Sequence, residues 1–229
     1  MTDWVPNRGG HAPAARRGER RLPMALAVVA EAVIYVFLPS DFRIVAVGLY
    51  AYPALLLVLL LVLIIGDPGR IDRDNRWLRL ATGAMIGIVT ATSAVSALRL
   101  VAFILRGNNF GSAQELLKIG AIIWTTTIIA FALWYWHLDC GGPTARANQS
   151  YSMLPAFHFP EQDLDDPAYA GWYPQFVDYL SLSFNTATAF GPADVSAVRH
   201  WSKLWLMSEA AISFAIVGLV IASAVNALQ

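Results

Sequence analysis

A hydroxyl-rich stretch near the carboxyl end of the chain carries the residue types that bind cations inside membranes. Residues 184–194 read FNTATAFGPAD, in which Thr186 and Thr188 alternate with apolar residues and Asp194 closes the stretch. Threonine hydroxyls, backbone carbonyls and carboxylates are groups that line cation pathways. Threonine in a helix also bonds back to its own carbonyls, which accounts for the same residues without a pathway. The pattern therefore predicts either a cation-binding loop or a helix-packing surface.

Charged and polar residues inside apolar segments form a second group of candidates. Glu209 lies about two turns inside the last apolar segment, where a carboxylate needs a partner or water. Asn226, near the end of that segment, either faces a pore or lies at the membrane interface. Arg99, inside an earlier segment, either extends its side chain to the membrane surface or pairs with Glu31.

A divalent metal site is the rival chemistry. Seven oxygen and nitrogen ligands lie within about thirty residues: His137, Asp139, His158, Glu161, Asp163, Asp165 and Asp166. Their spacing fits no known metal motif, because His137 and Asp139 are two residues apart and not four. A solvated acidic loop accounts for the same residues. We therefore expect no metal, no cofactor and no enzymatic activity.

The composition places these residues in a membrane protein. Of 229 residues, 57% are hydrophobic and only 14% are charged, whereas soluble domains carry about 25% charged residues. The formal net charge is zero, so we expect no nucleic acid as a partner. Cys140 is the single cysteine, so no internal disulfide forms.

Five apolar segments approach the length of about 20 residues that spans a bilayer. They cover residues 22–39, 43–66, 79–105, 116–137 and 203–227. Residues 1–21 are rich in Pro, Gly, Ala and Arg, and this composition predicts a disordered basic arm. Residues 22–137 then form a four-helix membrane region.

Arginine and lysine near the segment ends predict the orientation. Nine arginines precede the first segment or lie between the second and third: Arg8, Arg16, Arg17, Arg20, Arg21, Arg70, Arg73, Arg76 and Arg79. The opposite side has three basic residues, Arg43, Arg106 and Lys118. The bias predicts a cytoplasmic amino terminus, and residues 138–202 on the same side.

Residues 138–202 divide into two unlike parts. Residues 138–174 are polar, acidic and aromatic, which predicts a loop lying on the lipid headgroups. Residues 175–190 are too short and too hydroxylated for a lipid-exposed span and too apolar for a loop in water. A re-entrant half-helix resolves this conflict where protein or a wet cavity covers its backbone.

Residues 176–228 resemble the pore helix, filter and inner helix of potassium-channel-type pore domains. Tyr179, Leu180 and Ser181 match the aromatic pore helix, Thr186 and Thr188 the filter entrance, Gly191 and Asp194 its end, and Lys203 the step before the inner helix. The resemblance covers about a quarter of the chain. It implies a homo-oligomer, with a tetramer favoured, that surrounds a pathway for monovalent cations.

The whole chain also resembles an uncharacterised family of bacterial multi-pass membrane proteins. The motifs that carry this resemblance are ALWYW at residues 132–136, GGP at 141–143, FP at 159–160 and an altered NATAF at 186–190. It implies a location in the bacterial plasma membrane.

The filter departs from the potassium-channel pattern. That pattern resembles TVGYG, whose glycines let successive carbonyls face one axis, whereas this chain reads TATAFGPAD and Pro192 brings no N–H. The resemblance therefore implies a degenerate filter of Thr186, Thr188, Ala189, Phe190, Gly191 and Asp194, with Phe190 as a hydrophobic constriction. Asp194 or Ser196 alternatively caps the last helix.

The predicted side of the membrane departs from that pattern as well. Potassium-channel pore loops face outward, so a cytoplasmic loop resembles the inverted arrangement of glutamate receptors. The alternatives are that residues 176–190 cross the membrane fully or that the arginine-rich ends do not follow the charge rule. We prefer the charge bias, since it draws on nine residues.

These observations predict an all-α integral membrane protein with five transmembrane helices and a re-entrant, pore-type half-helix before the last one. The predicted function is channel-like, either a weakly selective cation channel or a non-conducting relative. The alternative is a membrane scaffold that binds other proteins without transport. A metal-dependent enzyme at the membrane surface is the less favoured third possibility.

Overall fold

The chain is mostly helical. The structure, a computed structural model, describes residues 18–44, 48–71, 75–107, 112–147, 154–189, 191 and 194–226. Its helices are α1 (Leu22–Val36), α2 (Gly48–Gly66), α3 (Arg76–Leu105), α4 (Ala113–Leu138), α5 (Pro143–Ala147), α6 (Phe176–Ala189) and α7 (His200–Asn226). Two short antiparallel strands, β1 (Phe157–His158) and β2 (Ser196–Ala197), pair with each other. The all-α fold predicted from the sequence is confirmed.

Four of the described helices, α2, α3, α4 and α7, are long and apolar enough to span a bilayer. The protein is accordingly a multi-pass membrane protein. Helix α1 coincides with the first predicted span but has 15 residues, which makes it about 22 Å long against a hydrocarbon core of about 30 Å. Length and composition thus support four spans, one fewer than the sequence predicts.

Helix α4 forms the centre of the bundle. It packs against α1, α3, α6 and α7, and it is the most buried of the four long helices. A Cβ atom at Gly120 would approach the Val220 side chain to 2.8 Å, so only glycine permits the close approach of α4 and α7 at this level. Helix α2 lies outside this centre, against α1 and α3.

One end of the bundle, which we call the Glu19 end, gathers distant parts of the chain around Glu19. The backbone N–H of Ile71 donates to the Glu19 carbonyl at 3.0 Å. The Glu19 carboxylate accepts from Trp136 Nε1 at 2.8 Å and from the backbone N–H of Phe176. The segment before α1, the α2–α3 connection, the end of α4 and the start of α6 therefore meet at one end.

The opposite end, the Phe42 end, is built around Phe42. Ser96 Oγ donates to the Phe42 carbonyl at 2.8 Å, and the rings of Phe42 and Phe103 lie 5.5 Å apart. The same apolar cluster includes Leu116 at the start of α4 and Ala224 at the end of α7. Helices α1, α3 and α7 therefore end here and α4 begins here.

Helices α6 and α7 begin at the same end of the bundle. Helix α6 starts at Glu19 and extends to the level of Trp124 in α4, where the Phe184 and Trp124 rings lie 6.0 Å apart. Helix α7 starts beside the strand pair, where the Trp201 and Phe157 rings lie 6.2 Å apart. The Phe157 ring in turn lies 5.1 Å from that of Tyr135 near the end of α4.

The segment after α4 differs from the predicted surface loop. Residues 139–144, together with Arg146 and Ala147, are buried, although their polar composition predicts a position on the headgroups. Positive φ angles at Cys140, Gly141 and Gly142 turn the chain back beneath α4, and backbone carbonyls accept from Nε and Nη1 of the buried Arg146. Residues 162–171 are exposed, as a surface loop requires.

Candidate functional site

Glu209 is the centre of a buried polar site between α4, α6 and α7. Its side chain is 0% exposed. Tyr135 Oη of α4 donates to one carboxyl oxygen at 2.6 Å, and Ser183 Oγ of α6 contacts the other. Ser183 Oγ also contacts the Ile128 carbonyl at 2.9 Å. One carboxyl group thus connects three helices.

The sequence of α7 directs Glu209 toward the interior. The buried residues of α7 recur at three- and four-residue intervals: Ser202, Leu206, Glu209, Ser213, Ile216, Val220 and Ala224. This spacing places them on one face of the helix. The opposite face carries large exposed apolar side chains, including Leu204, Met207, Phe214 and Ile221. The helix therefore turns Glu209 and Ser213 toward protein, together with apolar residues, and turns its largest exposed apolar side chains outward.

A second polar group fastens α6 at the Glu19 end. Asp139 is 1% exposed; it accepts from Tyr179 Oη at 2.6 Å and from the backbone N–H of Ala156 at 2.7 Å. Arg146, also 1% exposed, donates to the carbonyls of Trp136 and Asp139 at the end of α4, each at 2.8 Å. These are carbonyls that the end of a helix leaves without intrahelical partners.

Arg146 also joins the two helices. Its guanidinium carbon lies 4.9 Å from the centre of the Tyr179 ring, and its Nε donates to the Pro174 carbonyl just before α6 at 3.2 Å. Burial raises the pKa of the nearby Glu19 carboxyl, although its hydrogen bonds from Trp136 and Phe176 oppose that shift. These contacts fix where α6 enters the bundle.

The predicted filter threonines lie in the last turns of α6. Thr186 is buried and Thr188 is exposed, and each hydroxyl donates to the carbonyl four residues earlier, Leu182 or Phe184, at 2.8 Å. This is the back-bonding that the sequence offers as the alternative to a pathway. Because residues 186–189 are helical, their carbonyls run along the helix axis. Residues 175–190 are predicted as a half-helix, and Phe176–Ala189 are helical. The role of these threonines in a filter entrance stays a prediction.

The other predicted pathway residues lie apart from Glu209. Ala189 and Asp194 are exposed, Gly191 is half-buried, and Asn226 is exposed at the end of α7. Phe190 lies outside the described residues. The structure therefore brings Glu209 together with Tyr135 and Ser183, and not with Asn226 or the filter stretch.

The other membrane charges have local partners. Arg99 contacts the backbone carbonyls of Arg43 and Asp41 near the Phe42 end, where its side chain reaches the end of the span. Glu31, 0% exposed, accepts from Tyr52 Oη at 3.0 Å. The alternative pairing of Arg99 with Glu31 is therefore not formed.

The candidate metal ligands do not converge. Among the described residues, no three His, Cys, Asp or Glu side chains lie close enough to hold a metal ion. His158 Nε2 lies 2.8 Å from an Asp163 carboxyl oxygen in an exposed pair. Asp139 is occupied by Tyr179 and a backbone N–H instead.

Sequence reasoning did not assign Tyr135 and Ser183 as the partners of Glu209. Ser183 lies on the buried face of α6 and Glu209 on the buried face of α7, so helical spacing was a usable signal. The burial of Arg146 had no such signal in the sequence, because the composition of its short segment is typical of a polar loop.

No family model matches the chain, and no curated protein or solved structure matches it either. Nothing in these comparisons identifies a potassium-channel-type family. Support for a function therefore comes from the geometry of the described residues and from the sequence patterns described above.

Proposed function

We propose that the protein is a channel-like, homo-oligomeric protein of the bacterial plasma membrane that passes monovalent cations with weak selectivity. In this proposal α6 is a re-entrant half-helix, and α7 is the inner helix beside the pathway. Helices α1 to α3 form the peripheral layer.

The observation that carries the proposal is the shared starting end of α6 and α7. Helix α6 has 14 residues and extends about 21 Å into the bundle. The chain then returns to the Glu19 end, because β2 pairs with β1 there and the backbone N–H of Val198 donates to the Ala156 carbonyl at 2.8 Å. This order of a half-helix, a returning segment and a long helix that starts at the same end is the backbone path that a pore loop requires, and it supports the proposal.

The end of α6 supplies the electrostatics for a cation. The last four carbonyls of a helix lack intrahelical partners and together carry about half a negative charge. In α6 these groups lie beside exposed Thr188 and Ala189, at the level of Trp124 in α4. A partial negative charge at that depth favours cations over anions.

One half-helix per chain calls for several copies around an axis. The outward face of α7 is apolar, with Met207 67% and Phe214 63% exposed, and suits a neighbouring subunit or lipid. A tetramer is the favoured arrangement because of the resemblance in residues 176–228. In this arrangement α6 and α7 of each subunit face the common axis.

The arrangement of the two ends supports the proposed orientation. Arg20, Arg21 and Arg70 all lie at the Glu19 end, where the backbone N–H of Arg21 donates to the Gly69 carbonyl at 3.2 Å. The arginine-rich end is cytoplasmic under the charge rule. Five crossings, with α1 as a short one, then place the amino terminus in the cytoplasm.

The proposal is tested by mass and by cation flux in lipid. We expect a tetramer in native-like lipid discs and uptake of monovalent cations into vesicles that contain the wild-type protein. The variant Thr188→Lys adds a positive charge at the end of α6 and should abolish uptake. The matched control Ser181→Lys, on an exposed position of α6 two turns nearer the Glu19 end, should retain it. A monomer in discs would exclude a pore around an axis.

A non-transporting scaffold is the second candidate. A groove of about 350 Å³ between α4, α6 and α7, lined by Leu117, Trp124, Thr188 and Ile221 among others, favours this function because it offers an apolar surface to another membrane segment. Wild-type tetramers that pass no cation would support this candidate.

A further inference from the structure

The hydroxyl of Ser183 has two acceptors within reach but only one hydrogen. Its oxygen contacts the Ile128 carbonyl at 2.9 Å and one carboxyl oxygen of Glu209. A carbonyl oxygen has no hydrogen to donate, so Ser183 must supply the hydrogen of the Ile128 contact. The hydrogen of the Glu209 contact then comes from Glu209.

The other carboxyl oxygen completes the count. Tyr135 Oη lies 2.6 Å from it and donates its single hydrogen. With one proton on Glu209, the chain runs from Tyr135 to Glu209, from Glu209 to Ser183, and from Ser183 to the Ile128 carbonyl. Each of these three contacts then has one donor and one acceptor.

The charged alternative leaves a contact unmade. An ionised Glu209 accepts from both Tyr135 and Ser183, and the Ser183 and Ile128 oxygens are then left facing each other without a hydrogen. A buried ion also needs a cation nearby, and among the described residues no Lys, Arg or His forms an ion pair with Glu209.

The surroundings of Glu209 contain few other ionisable groups. Helix α4 presents Tyr135 and α6 presents Ser183. Helix α3, which also packs on α7, carries its charged residues at exposed positions: Arg76, Arg79 and Arg99. Strand β2 has none, and on α7 itself His200 and Lys203 are exposed near its start.

We propose that Glu209 holds a proton that lets Ser183 bond α6 directly to α4, so that loss of the proton breaks this one bond and loosens the half-helix while Ser183 stays bonded to Glu209. The proton leaves as hydronium or to a base in the solvent, and the carboxylate then draws the Ser183 hydrogen away from Ile128. The α6–α4 hydrogen bond at this level breaks, and pH thereby regulates the half-helix. This regulation rests on the proposed function, since it acts on the half-helix of the proposed pore.

Infrared spectroscopy of the purified protein in lipid tests the proton directly. The difference spectrum between wild type and Glu209→Gln should contain the carbonyl band of a protonated carboxyl group at neutral pH. The control Glu115→Gln alters an exposed carboxylate in the first turn of α4. The spectrum of this variant should keep the band, so its difference from wild type should not contain it. Absence of the band from the difference spectrum of a folded Glu209→Gln protein would overturn the proposal.

Hydrogen exchange tests whether loss of the proton loosens α6. Between about pH 5 and about pH 10, a range that lies above the ordinary pKa of a free glutamate, intrinsic-rate-corrected exchange of the α6 amides should rise about tenfold in wild type. It should stay constant in Glu209→Gln, and Ser183→Ala should show the faster exchange at every pH. Equal pH dependence in wild type and Glu209→Gln would overturn the proposal. Neither readout requires conduction, so failure of this regulation is distinguishable from failure of the channel.

Discussion

Glu209 and Glu31 are both fully buried in membrane helices, yet the protein satisfies them differently. Both carboxyl oxygens of Glu209 have hydroxyl partners, from α4 and from α6. Glu31 has one partner, Tyr52, and its second oxygen is buried without a hydrogen bond among the described residues. The difference indicates that burial alone does not determine how a membrane carboxyl is satisfied, since Glu209 joins three helices and Glu31 joins two.

Replacing each glutamate by leucine should give the largest contrast. Glu209→Leu leaves the Tyr135 hydroxyl buried without a partner, so we expect a loss of about 2–3 kcal/mol in unfolding free energy. Glu31→Leu also takes the acceptor from a tyrosine, but Tyr52 is only half-buried and the change removes a buried oxygen that lacks a partner, so we expect a smaller loss of about 1 kcal/mol. Unfolding in mild detergent measures both variants. Equal losses would show that the two carboxyl groups do not differ in this respect.

A double-mutant cycle should sharpen the comparison. Tyr135→Phe and Ser183→Ala remove hydroxyls that bind the same carboxyl group, and we expect their effects to couple by about 1 kcal/mol. Tyr52→Phe with Ser183→Ala serves as the control, because these residues bind different glutamates and should add within about 0.5 kcal/mol. Additive effects in the first pair would indicate that Glu209 does not couple the Tyr135 hydroxyl of α4 to the Ser183 hydroxyl of α6.

Glu19 provides a third buried carboxyl, at the end of the bundle, and should have the smallest effect. Burial raises its pKa above the ordinary value of 4.5. A carboxyl group whose pKa is higher in the folded protein favours folding while protonated, so its contribution is full below pH 4.5 and is lost as pH rises through the raised pKa.

Unfolding measured across pH checks this sign. Glu19→Gln should weaken the decline in unfolding free energy above pH 4.5, while the exposed control Glu115→Gln should follow wild type. A steeper decline in Glu19→Gln than in wild type would contradict the assignment.

The helices could be predicted from the sequence because apolar runs and boundary residues specify them locally. The predicted segment 79–105, for example, corresponds to Arg76–Leu105 in the structure. The burial of Asp139 and Arg146 could not be predicted, since it depends on carbonyls that only the end of α4 and the start of α6 bring together. Glu209 stood out as a charge in an apolar segment, but its partners come from helices distant in sequence.

In the filter stretch, the residue types were recognised from the sequence but their role could not be predicted. The types of Thr186 and Thr188 suit a cation pathway, and the same hydroxyls satisfy helix carbonyls just as well. Local sequence did not decide between these states. The packing of α6 against α4 and α7 holds residues 186–189 in the helix.

The side of the membrane on which α6 and α7 begin tests the central claim most directly. Single cysteines at Asp165, Lys203 and Glu115, all exposed positions, would be introduced after Cys140→Ser and treated with a membrane-impermeant thiol reagent in spheroplasts and in inverted vesicles. A re-entrant α6 predicts that the cysteines at 165 and 203 react from the same, cytoplasmic side and that the cysteine at 115 reacts from the other. Reaction of positions 165 and 203 from opposite sides would show that α6 crosses the membrane and would contradict the pore-loop account.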